Sequence, residues 1–365
     1  MILAAEVREG GVAARLHAFG HSPRIVGVDV ARGLAILGMF GAHIGVFGAF
    51  DWSPGSWLDL VNGRSSILFA LLAGVSIAII SGRTVPASGT ELQLARRRIV
   101  ARAVVIALIG AGLEFLETNI AVILIYYAIL FLFALPFLRW RSRWLFALAA
   151  ALAIVMPLIV FALTEAKGDR DLGPFEVVVF LFVTGSYPCL IWIVFVLAGL
   201  GVGRLDLSSP RVMAGLLAAG AVLATIGYGV GELLRDAEPS AVFTTEPHSG
   251  SPFEVVGSTG FAIGVLGLCL LGSRVIRWAL FPIAAVGSMA LTAYVAQVVI
   301  IAALGIPVPG ETDNVAWGWF VLGALVLCSL WAILLGRGPL ERLLSWFSRL
   351  AAGSPDRESA PAPRP

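Results

Sequence analysis

The sequence predicts an all-α polytopic membrane protein of about ten transmembrane helices with both termini in the cytoplasm. Three observations carry this. Of 365 residues, 59% are hydrophobic and 13% are charged, with a mean hydropathy of +0.93, far from the balance of a soluble globular domain. Apolar runs near the ~20 residues needed to cross hydrocarbon recur along the chain. The connectors between them alternate between arginine-rich and arginine-poor.

Residues 1–23 carry Glu6, Arg8, Glu9 and Arg15 and lack the apolar stretch of a signal peptide, so they read as a cytoplasmic tail. A transmembrane domain follows over 24–336, with spans at about 25–47, 58–81, 98–115, 119–138, 144–163, 175–201, 212–233, 254–272, 279–303 and 316–335. One set of connectors holds Arg83, Arg96, Arg97 and Arg98, then Arg139, Arg141 and Arg143, then Arg204 and Arg211, then Arg274 and Arg277. The opposite set holds Lys167, Arg170 and Arg235, so the positive-inside rule places the first set in the cytoplasm. In residues 337–352, Leu340, Leu343, Leu344 and Phe347 share one helix face while Glu341, Arg342 and Arg349 lie elsewhere. This is an amphipathic helix for the inner membrane surface. The Pro- and charge-rich residues 353–365 have the composition of a disordered tail.

Cys189, Cys269 and Cys328 stand far apart in apolar runs, which suggests neither a disulfide framework nor a thiolate metal site. No metal-ligand spacing, Walker-type phosphate loop or nucleic-acid-binding signal is present.

Function is sought among the polar exceptions, because a charge at the centre of a membrane helix costs about 2.5–3.5 kcal/mol on insertion scales. In DVARGLAILGMFGAH, Asp29, Arg32 and His43 fall on one helical face at about 100° per residue. Asp29 and Arg32 are spaced for an ion pair near the cytoplasmic end, and His43 lies about 16 Å further along the axis. The second span opens with Asp59, Asn62, Arg64, Ser65 and Ser66 at a similar depth. The bland readings are a snorkelling Asp29–Arg32 pair, a packing histidine and an Arg64 on lipid phosphate. The functional reading makes the stripe a site, with Arg64 facing an anion or a carboxylate of another helix. His248, in the long connector 234–253, is either a second acid/base group or a solvated loop residue. Glu114, Glu117 and Asn119 suit sugar hydroxyls or an ordinary hairpin.

The phrase RIVGVDVARGLAILGMFGAH, followed by GRSSILFALLAGVSIAI, resembles the opening of the bacterial YeiB-like membrane proteins. It is also similar to the heparan-alpha-glucosaminide N-acetyltransferase catalytic domain and, more remotely, to the membrane acyltransferases that modify cell-surface glycans. The hallmark of that last family is an Arg, ten residues and a His on the first helix, the spacing of Arg32 and His43. VGSMALTAYVAQ (286–297) and GRGPLERLL (336–344) resemble the YeiB-like closing segments.

The resemblance implies transfer of an acyl group, acetyl above all, from cytosolic acyl-coenzyme A across the plasma (inner) membrane. The acceptor would be a hydroxyl or amine of an extracytoplasmic saccharide, a glycan or glycolipid of the cell envelope. His43 carries over as the catalytic histidine and Arg32 as its motif partner. Imidazole suits such chemistry as a base, or as an acyl carrier. Arg64, Asn62 and Tyr294 are candidate donors to the thioester oxyanion. Coenzyme A phosphates call for cytoplasmic cations, for which Arg96, Arg97 and Arg98 are candidates, with Arg139, Arg141 and Arg143 beside them. Membrane lipids are the remaining partners, and the sequence is compatible with a homodimer. The rival reading is a proton-coupled transporter or lipid flippase using the same stripe, with helices broken at Pro188 or at Gly257 and Gly260.

Overall fold

The computed structural model describes residues 25–47, 54–237, 242–308 and 314–353. The tail expected at 1–23 and nearly all of that at 353–365 lie outside these residues. The helices are α1 (Val26–Ile44), α2 (Arg64–Ile80), α3 (Gly89–Glu114), α4 (Leu124–Phe133), α5 (Ser142–Lys167) and α6 (Cys189–Gly203). They continue with α7 (Pro210–Ala224), α8 (Pro252–Val275), α9 (Phe281–Ser288), α10 (Ala290–Leu304), α11 (Val315–Leu334) and α12 (Pro339–Ala352). A π-helical turn, Thr225–Val230, and the helix Gly231–Ala237 prolong α7.

Among the described residues, six helices are long and apolar enough to cross a membrane, or up to eight if each bent pair makes one span. The protein is thus a multi-pass membrane protein with fewer clear spans than the ten expected. The expected span at 119–138 contains α4, whose ten residues extend about 15 Å, half the hydrocarbon thickness. The one at 98–115 lies in α3, a helix too charged to qualify because Arg96, Arg97, Arg98 and Arg102 all belong to it. Residues 175–201 and 279–303 are the bent pairs. Gly173–Thr184 meets α6 at 45°, and α9 meets α10 at 81°.

Small residues set how the helices meet, as expected where lipid removes the hydrophobic drive between them. A Cβ on Gly33 of α1 would lie 2.0 Å from the Ile283 carbonyl oxygen, and one on Gly287 of α9 would lie 1.8 Å from that of Asp29. These two helices therefore touch backbone to backbone beside Arg32. Gly74 and Gly199 seat α2 on α6 in the same way, with Val196 and Leu71 carbonyls as close neighbours.

Hydrogen bonds tie the arginine-bearing connectors together at one end of the bundle. Arg204 donates to the carbonyls of Ala78, Ser81, Arg83 and Leu138, Arg274 donates to that of Ser208, and Ser142 donates to that of Gly201. This end is called the basic end below.

The α9–α10 break exposes the first N–H groups of α10, which a membrane helix leaves unpaired only at several kcal/mol each. Glu341 of α12 satisfies them: Oε1 accepts from Leu291 N at 2.9 Å and Thr292 N at 3.1 Å, and Oε2 accepts from Thr292 Oγ1 at 2.6 Å. The acidic residue of the amphipathic helix is thus a cap for a broken span. Glu341→Ala is expected to destabilise the protein by about 1–3 kcal/mol, since charge-assisted bonds of this kind are lost with nothing in their place. Thermal unfolding of Glu341→Ala and Glu341→Gln checks it, and the glutamine variant should lose less.

Candidate functional site

At the basic end a cavity of about 470 Å³ opens between α1, α2, α3, the α9–α10 break and α12. Arg32, Ser76, Arg102, Ser288, Arg337 and Glu341 supply its polar lining, and Leu124, Tyr127 and Phe131 of α4 close it above. Arg32 pairs with Asp29 at 2.9 Å and donates to Ser76 Oγ at 3.1 Å, so the expected ion pair forms and turns towards the cavity. Arg102 projects from α3 into the same space. Arg32, Arg98 and Arg337 all lie close enough to repel it, and its Nε is buried with no hydrogen-bond partner. An excess of guanidinium groups around a space with hydroxyls in its lining suits an anion. Of the three arginines expected to meet coenzyme A, Arg98 joins this cluster, while Arg96 and Arg97 are exposed on the outer face of α3. Arg139, Arg141 and Arg143 border a separate hollow with Trp140 and Trp144.

His43, near the other end of α1, is only 8% exposed. Its Nδ1 lies 3.2 Å from Oε1 of Gln297 on α10, and the Tyr294 ring meets the imidazole edge-on at 6.1 Å. An amide oxygen only accepts, so this contact is a hydrogen bond in the tautomer that carries the proton on Nδ1 and leaves a lone pair on Nε2. The Gln297 amide nitrogen is buried without a partner. Tyr294 Oη accepts from Ile123 N at 3.4 Å, and Ile123 immediately precedes the Leu124 that closes the arginine cavity. Tyr294 thus links His43 to the segment that closes that cavity.

Gln297 and Arg337 were not singled out as site residues on sequence grounds. Gln297 is a polar residue in an apolar helix, three positions after Tyr294 in VGSMALTAYVAQ, and that is the signal that could have found it.

The other candidates go elsewhere. Arg64 Nε donates to Tyr228 Oη at 3.0 Å, and its NH1 donates to the carbonyls of Asp59 and Leu60. Tyr228 continues to Ser258 at 2.7 Å, and Ser258 donates to Glu254 at 3.2 Å. Arg64 thus shares a chain of hydrogen bonds with a buried carboxylate on α8, and its hydrogen-bond partners are distinct from those of His43.

His248 stacks on Trp192, with centroids 6.3 Å apart, and meets Tyr187 edge-on at 5.7 Å. Desolvation by these rings lowers its pKa below the ordinary imidazole value, against a smaller pull upward from a backbone hydrogen bond at Ser186. The unfolded chain therefore binds more protons just below pH ~6.5, so stability is full above that pH and falls as pH drops through it. Melting measured between about pH 7 and pH 5.5 should show a smaller loss in His248→Phe than in wild type.

Residues 24–229 match the model of the family described as heparan-alpha-glucosaminide N-acetyltransferase, catalytic. Residues 204–350 match a family of proteins of unknown function, DUF418, which is YeiB-like. A search of curated proteins finds no match. Asp29, Arg32, His43 and Arg102 fall within the first match, and Gln297, Arg337 and Glu341 within the second, so both matches contribute to the arginine cavity and to the His43–Gln297 contact. The first match spans more than half of the chain, and the protein belongs to the heparan-alpha-glucosaminide N-acetyltransferase catalytic family of transmembrane acetyltransferases.

Proposed function

We propose that the protein takes an acetyl group from cytosolic acetyl-coenzyme A and delivers it to a hydroxyl or amine of a saccharide on the far side of the membrane. The observation that carries this reading is the arginine-lined cavity at the basic end, whose closing residue Leu124 adjoins Ile123, the donor to the Tyr294 that packs on His43. The residues fit the donor. Arg32, Arg102 and Arg337 hold its phosphates, and the unpartnered Arg102 Nε is the group most in need of an anion. The thioester end then points along α1 towards His43, and the basic end faces the cytoplasm, as the positive-inside rule requires.

His43 Nε2 takes the proton of the acceptor O–H or N–H as the oxygen or nitrogen attacks the thioester carbon. The C–S bond breaks, and the departing thiolate receives that proton from the imidazolium. Gln297 holds Nδ1–H throughout, and Tyr294, whose ring packs edge-on to the imidazole, is the candidate donor to the developing oxyanion. A two-step course, with the acetyl group resting on Nε2, uses the same groups.

The test is thermal melting and thiol release in nanodiscs with acetyl-, propionyl- and longer acyl-coenzyme A. A donor at 100 times its dissociation constant stabilises the fold by about 2.7 kcal/mol. Arg102→Gln should lose at least tenfold in affinity, about 1.4 kcal/mol of that stabilisation. A folded protein that no acyl-coenzyme A stabilises contradicts the donor assignment.

A further inference from the structure

One turn of α4 serves both halves of the site. The helix begins at Leu124, which is 2% exposed, so its first turn lies inside the bundle. Ile123 N, just before the helix, donates to Tyr294 Oη at 3.4 Å, and Tyr127 N donates to the Ile123 carbonyl at 3.1 Å. The backbone that holds Tyr294 is thus the backbone that carries Tyr127.

The Tyr127 side chain belongs to two neighbourhoods. It lines the arginine cavity with Phe69, Leu124 and Phe131, and it lies close enough to Tyr294 and Tyr187 to interact with their phenols. Tyr294 in turn packs edge-on against His43. Tyr127 is also well fixed. Its ring stacks on Phe69 of α2, with centroids 5.4 Å apart and planes 20° apart, and its hydroxyl donates to the Ser66 carbonyl at 2.9 Å. Only 2% of it is exposed.

A donor whose phosphates sit among the arginines has to bring its acyl group past this ring to meet His43. We propose that Tyr127, backed by Phe69, sets which acyl groups the protein transfers: a two-carbon group passes the ring, and a longer chain does not bring its thioester carbon into place. The inference rests on the transfer reading above and adds a division of labour to it. The arginines hold every coenzyme A thioester alike, and the stacked pair sorts them by acyl length. One methylene in a packed apolar site changes a rate by roughly 10–200-fold, so two carbons suffice to show the sorting.

The experiment uses the full chain in nanodiscs with glucosamine as acceptor, and reads thiol release and melting with acetyl-, butyryl- and hexanoyl-coenzyme A. Wild type should prefer acetyl to butyryl by roughly 100-fold or more in rate, with similar melting shifts from all three donors. Tyr127→Ala should cut that preference at least tenfold. Tyr127→Phe keeps the ring and loses the bond to Ser66, so it should keep the wild-type preference. Should Tyr127→Ala not fold, Phe69→Ala removes the backing ring and should relax the preference in the same direction. Equal wild-type rates for all three donors overturn the proposal, as does a preference that Tyr127→Ala and Phe69→Ala leave intact.

A second measurement needs no donor. The thiol of His43→Cys should be shielded from a methanethiosulfonate reagent added at the basic end, and adding Tyr127→Ala should speed its modification at least tenfold, with the adduct located by mass spectrometry. Wild type that turns over no thioester removes the transfer reading. Faster modification then still places Tyr127 as the partition between the cavity and His43, and equal modification overturns that as well.

Discussion

His43→Ala is expected to lower acetyl-coenzyme A turnover by about 10²–10⁴-fold, the usual contribution of a positioned general base. Donor stabilisation of the fold should persist, because the arginine cavity lies on the other side of Tyr127 and Leu124 and does not include the imidazole. Gln297→Leu should reproduce part of this loss. It removes the acceptor that fixes the proton on Nδ1, so a fraction of the histidine presents the wrong tautomer. Thiol release read alongside melting separates chemistry from binding. A His43→Ala protein that melts like wild type and still turns over donor at the wild-type rate removes His43 from the mechanism.

Arg204→Ala is expected to cost about 3–5 kcal/mol, a large share of the 5–15 kcal/mol that holds a typical fold. The side chain is 5% exposed and sits beneath the end of α2, donating to the last carbonyls of that helix and to Arg83, Leu138 and Ser81 Oγ. It neutralises the negative end of α2 and ties the connector after α2 to the one after α4. Truncation takes this donor from the Leu138 carbonyl and breaks the tie between the connectors, while the Ala78 and Ser81 carbonyls keep backbone donors at Arg83 and Ala87. Arg204→Lys keeps the charge but lacks the planar fork that reaches several oxygens at once, so rescue should be partial. Size-exclusion profiles and melting in detergent check the order wild type, lysine, alanine. An alanine variant that melts with wild type contradicts this role.

Some of this was legible in the chain. The Asp29–Arg32 pair follows from helical spacing, and the membrane character follows from composition. What escaped is what only packing creates. Gln297 has neither charge nor a spacing to His43 that sequence could register, since the two are 254 positions apart and only the close approach of α1 and α10 joins them. Arg102 stands in the sequence as a charge within the apolar run 98–115, but its meeting with Arg32 and Arg337 depends on two helices and a connector. Glu341 lay off the apolar face of an amphipathic helix, where acids are usually solvated. It caps α10 because the span breaks at Met289, within an apolar run whose hydropathy is continuous. Arg204 counted only as a topological charge, although its neighbours make it a staple. The span count suffered for the same reason: α4 is apolar throughout, and ten residues suffice inside a bundle where they would not in lipid.

The central claim is transfer across the membrane, and vesicles test it most directly. Proteoliposomes would be loaded with glucosamine or dodecyl glucoside in the lumen only, and acetyl-labelled acetyl-coenzyme A would be added outside. The account predicts labelled, acetylated acceptor inside wild-type vesicles, with none in His43→Ala vesicles that still bind donor. Label that reaches the acceptor only after the vesicles are opened would contradict it, because the chemistry would then lie on one side of the membrane.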